Sequence, residues 1–162
     1  MSTNKIDLCN DVTAYLTEDG HMFKCNISWL SRSIEVSLSS GDYGDEKVIE
    51  GMKRTFERFW TDKESYLDDA KSAIKARLLP YIATHDSRDP DVPYPEVSEE
   101  IFEAEYWLDS IMVVFDDDAS FVQMNFDRNG GDKHYDEFCA LVNIDREFVT
   151  FFVGDMPIDI EV

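Results

Sequence analysis

Residues 45–82 constrain this chain more than any other stretch. Met52, Phe56, Phe59 and Trp60 recur at helical spacing and give one strongly apolar face. Thr61 and Glu64 have the spacing of a capping box, so a second helix is expected to start there. Leu67, Ala70, Ile74, Leu78 and Tyr81 continue its apolar stripe, and Pro80 is expected to kink or end it. Two amphipathic helices in tandem must cover something apolar. The sequence on both sides reads as β-strand, so a sheet is the expected cover.

Before the helices, Phe23, Cys25 and Ile27 alternate with polar residues, and Ile34, Val36 and Leu38 do so again. This is an antiparallel pair turning near Ser31-Arg32. After the helices, strands are expected at Ile111–Phe115, Phe121–Phe126, Phe138–Ile144 and Phe148–Val153. They are separated by Asp116-Asp117-Asp118-Ala119, by Asn129-Gly130-Gly131-Asp132 and by Asp145-Arg146. The reading is an α+β fold: an antiparallel sheet of about six strands, in the order ββααββββ, packed against two consecutive helices. All 162 residues are expected to form a single domain. Residues 1–20 read as irregular, with one short strand near Ile6 and Leu8. Residues 86–97 read as an acidic loop held open by Pro90, Pro93 and Pro95. Ser98 with Glu99 and Glu100 can start a short helix running toward Trp107, and Asp155–Val162 read as a tail or an edge strand.

Charge narrows the function. The chain carries 35 acids against 15 bases, a formal net charge of -20. Such a chain repels nucleic acid and anionic membrane surfaces, which are bound through Lys and Arg. The charge is unevenly spread. Residues 46–79 hold seven acids and eight bases, a net of +1, whereas residues 86–118 hold twelve acids and one base, Arg88, a net of -11. Helical pairs such as Glu50 with Arg54 and Lys53 with Glu57 therefore read as a solvated face. Cys9, Cys25 and Cys139 are far apart with no CxxC pair, which reads as reduced thiols in a cytoplasmic protein. No apolar run reaches the ~18 residues of a membrane span, and residues 1–10 lack a signal-peptide pattern.

No serine elbow, phosphate loop or dinucleotide fingerprint is present. Asp127-Arg128-Asn129-Gly130-Gly131-Asp132 resembles the start of a calcium loop, but its sixth position is Asp132 and its twelfth is Phe138, where an EF-hand needs Gly and Glu. No metal or cofactor is therefore expected. Two acidic groups remain as partner-binding candidates. Asp116, Asp117 and Asp118 form one turn. Asp127, Asp132, Asp136 and Glu137 line the other, with Tyr135 as an aromatic anchor. Tyr94 and Tyr106 are further anchor candidates because acids flank them, with the core as the default reading of any single one. In a meander the two turns lie at opposite ends of the strands, so one group alone is expected to be the site. Two other readings stay open: a small enzyme in which carboxylates and His134, paired with Glu137, act as acid and base or bind a metal, and an acidic domain with no target.

The Glu57-Arg58-Phe59-Trp60 helix end, the helix over Ala73–Ile82 with its Leu78-Leu79-Pro80-Tyr81, and the closing Phe151-Phe152-Val153-Gly154 add a resemblance. Over about residues 23–154 the chain resembles small acidic bacterial proteins, several of them linked to toxin neutralisation in contact-dependent inhibition and polymorphic toxin systems. The resemblance implies an immunity protein in the cytoplasm that binds a cognate toxin. The charge adds an independent argument for the kind of toxin. Nucleases hold phosphates in basic clefts, which clustered carboxylates can occupy.

Overall fold

The computed structural model describes residues 5–9, 11–18, 22–40, 46–115, 120–128 and 137–160. Among these residues, nine strands form one sheet in strict sequence order. They are β1 (Lys5–Asp7), β2 (Thr13–Leu16), β3 (Phe23–Trp29), β4 (Arg32–Ser40), β5 (Tyr106–Phe115), β6 (Phe121–Arg128), β7 (Phe138–Asn143), β8 (Val149–Val153) and β9 (Met156–Ile158). Every neighbouring pair is antiparallel except β4 and β5. That pair is parallel because the described helices lie in the connection between the two strands, a long crossover that carries the chain back to the end at which β4 began.

The α+β class is as expected, and the sheet is larger than the six antiparallel strands expected. The short strand expected near Ile6 is β1, and it has a partner that was not expected, β2: Ile6 pairs with Ala14, and both are buried, so this hairpin extends the sheet. β9 adds an edge strand from the segment read as tail or strand, with Ile158 covering the core. The β3–β4 turn is two residues long, Leu30-Ser31, at φ 58° and 60°. Both lie in the left-handed region that an I′ turn demands, which here is met without glycine.

The helices are α1 (Glu46–Thr61), α2 (Lys63–Ala73), a π-helical turn (Ile74–Leu78), α3 (Leu79–Thr84) and α4 (Glu99–Glu105). Residues 63–84 are one unbroken helical path. Pro80 neither ends it nor leaves it α-helical throughout. In the π turn just before the proline, the Leu79 N–H donates to the Ile74 carbonyl five residues back. That wider turn accommodates a ring with no N–H to give. The expected capping box at Thr61 does not form. α1 runs through Thr61, Asp62 occupies the N-cap without a side-chain bond, and the Glu64 carboxylate accepts a hydrogen bond from Trp29 Nε1 (2.9 Å) instead. A partly buried indole N–H needs an acceptor, and that need has claimed the residue. Ser98 does cap α4: its Oγ accepts from the Ile101 N–H (3.1 Å).

Every buried apolar residue of the helices belongs to one cluster with one face of the sheet. Met52, Phe56 and Phe59 of α1 and Ala70, Ile74 and Leu78 along 63–84 are fully enclosed. Gly51 lets α1 come down onto β5, since a Cβ there would run into the Phe115 ring. The turn after β7 is fastened to the helices. Arg58 donates to Asp145 (2.7 Å), Arg146 forms a two-pronged pair with Asp69, and the Tyr66 hydroxyl donates to the Ile144 carbonyl (2.6 Å). Burial of Cys25 and Cys139 pushes their thiols up to about 11 and about 12. Cys9, also raised by burial, is the least enclosed of the three. Ellman's reagent at pH 8 is therefore expected to titrate one thiol per native chain and three after unfolding. Rapid labelling of all three in the native protein would contradict this packing.

Candidate functional site

The sheet face turned away from the helices carries the site. Along β5, the inward residues Leu108 and Ile111 are three apart rather than two, and the register with β6 slips between Leu108 and Ser110. This is a β-bulge, and it turns two consecutive residues, Asp109 and Ser110, away from the core. Ser110 pairs with Asn125, and Asn125 with Cys139 on the next strand, so these side chains share the outer face. Asn125 Nδ2 donates to Ser110 Oγ (2.9 Å), and Gln123 Nε2 donates to Asn125 Oδ1 (3.2 Å). This polar chain, with Cys139 and Phe152, floors a cavity of about 370 Å³.

Among the described residues, four carboxylates line that cavity: Asp109 from the bulge, Asp127 from the end of β6, Glu137 at the start of β7, and Asp155 from the β8–β9 turn. They come from four points in the chain and meet at one end of the sheet. Gly154 supports the meeting with a left-handed φ of 57°, while its N–H donates to the Glu137 carbonyl (2.9 Å). Asp127 Oδ1 accepts from the Arg128 N–H (2.9 Å). The neighbouring Arg128 guanidinium is engaged by Glu105 (3.2 Å). Among the described residues, no three of the His, Cys, Asp and Glu side chains are placed to hold a metal ion together.

Of the residues expected from sequence, Asp127 and Glu137 line the cavity together. Asp116, Asp117, Asp118, Asp132, Tyr135 and Asp136 lie outside the described residues, as does His134. In the chain, β6 runs from Phe121 to Arg128 between the two expected turns. Tyr106 is not an anchor: it is buried, stacked on Phe138 with ring centres 4.8 Å apart. Tyr94 packs half-buried against the core. Sequence reasoning missed Asp109 and Asp155. For Asp109 the signal was present, because Leu108 and Ile111 break the two-residue alternation of a strand.

A second cavity, of about 400 Å³, lies near the β3–β4 turn, where the Arg32 guanidinium sits 4.9 Å from the centre of the Trp107 ring. Among the described residues no helix is long and apolar enough to cross a membrane. The chain matches no protein-family model, and no curated protein or solved structure matches it significantly.

Proposed function

We propose that this chain is an immunity-type inhibitor that binds a cognate basic toxin, of the nuclease kind, and occludes its active cleft with the acidic end of the outer sheet face. The observation that carries the reading is the convergence of Asp109, Asp127, Glu137 and Asp155 on one cavity, in a chain with a net charge of -20. A rigid sheet holds these groups in place before binding, so little ordering entropy is lost on association. The surrounding negative field draws in a cationic partner and speeds capture. The site of action is then the cytoplasm of the protected cell, where an incoming nuclease must be caught before it reaches nucleic acid.

The test is co-expression with a panel of basic nuclease toxin domains, read as cell survival and as a purified complex. Survival with a stoichiometric complex for one domain supports the reading. Failure of every domain to bind or to be neutralised overturns it.

A further inference from the structure

The same outer face has an apolar half. Met112 and Val114 of β5 point away from the helices, since Val113 between them is fully buried in the core. Val114 pairs with Phe121 on β6, and Phe121 meets the Phe148 ring edge-on with centres 6.2 Å apart. Phe148 is 44% exposed, and Met112, Val114 and Phe121 are half-exposed. The outward side of a sheet covered on one face is ordinarily polar, so contiguous apolar residues there mark a surface that something covers. In sequence the acids Asp116, Asp117 and Asp118 follow directly on β5.

Charge says what can cover it. A second copy would bring -20 against -20, and carboxylates line the cavity on the same face, so a cationic surface complements it. From Phe121 to Asp127 is six residues along β6, roughly 20 Å at about 3.3 Å per residue. We infer that the occupant is a basic protein surface bearing an apolar or aromatic anchor about 20 Å from its cationic groups. The anchor seats on Met112, Val114, Phe121 and Phe148, and the cations seat at the acidic cavity. This rests on the proposed binding role and specifies the partner's surface. The apolar end then adds affinity through desolvated contact, and the acidic end adds affinity together with rate and orientation.

Two synthetic peptides serve as probes. Both carry an Arg-Arg-Lys end; six residues away one carries Trp-Leu and the other Ser-Ser. The expected result is at least tenfold tighter binding of the Trp-Leu peptide by fluorescence anisotropy. Phe148→Ser should abolish that preference while binding of the Ser-Ser peptide stays unchanged. Met112→Thr, suited to a strand, serves as the independent variant. Asp109→Asn with Asp127→Asn should weaken both peptides equally. Equal affinity for the two peptides overturns the inference but leaves the acidic reading standing if the Asp→Asn variant still weakens both. Failure of both peptides to bind, or a dimer in sedimentation velocity that Phe148→Ser dissolves, also overturns it.

Discussion

Asp109→Asn combined with Asp127→Asn is expected to weaken binding of the basic partner at least tenfold, about 1.4 kcal/mol. Asparagine keeps the size of each side chain, and at 127 it can still accept from the Arg128 N–H, so charge is what changes. Truncating one partner of a buried interfacial charge pair costs about 2–5 kcal/mol, whereas a rim charge mainly alters on-rate and salt dependence. A loss much beyond tenfold therefore says that these carboxylates are enclosed in the complex. Glu50→Gln and Glu57→Gln are the controls, on a helix whose charges nearly cancel, and are expected to change the affinity less than twofold. Glu64 is unsuitable as a control because it holds the Trp29 indole. Calorimetric titration of each variant with the partner checks this. Equal losses in cavity and helix variants would place the interface elsewhere.

Phe138→Ala is expected to cost about 3–5 kcal/mol of stability, as large aromatic deletions in cores do. Phe138 is fully buried, lies parallel to Tyr106 and touches Phe102, whose ring also packs on Phe126. The cluster joins α4, β5, β6 and β7 directly beneath Glu137, so losing it loosens the cavity as well. With a typical total stability of 5–15 kcal/mol, the variant should unfold at a much lower urea midpoint. Phe148→Ala, at an exposed turn, should change stability by no more than about 0.5 kcal/mol. A loss below about 1 kcal/mol for Phe138→Ala would contradict the core packing.

The parts of this fold that follow from periodicity were legible in the sequence. Met52, Phe56 and Phe59 announce a helix, and Ile34, Val36 and Leu38 announce a strand, because burial on one side writes itself into spacing. Near Ile6 a short strand was legible, but β2 was missed because Ala14 is the one fully buried residue on it, too little to show alternation among turn-forming residues. The capping box failed for a different reason. Glu64 satisfies a local rule, but a tertiary hydrogen bond from a residue 35 positions away outcompetes it. The site was half visible. Asp127 and Glu137 could be named from the acids around one turn. Asp155 could not, since only the order of strands in the sheet brings it to the same cavity.

The acidic sheet face as a docking surface is tested most directly by the salt dependence of partner binding. The dissociation constant of a neutralised basic nuclease domain should be measured from about 50 to 500 mM salt, with the native chain and with the Asp109→Asn, Asp127→Asn variant. The expected result is a steep weakening with salt for the native chain and a shallower slope for the variant. A dissociation constant indifferent both to salt and to the loss of the two carboxylates would contradict it.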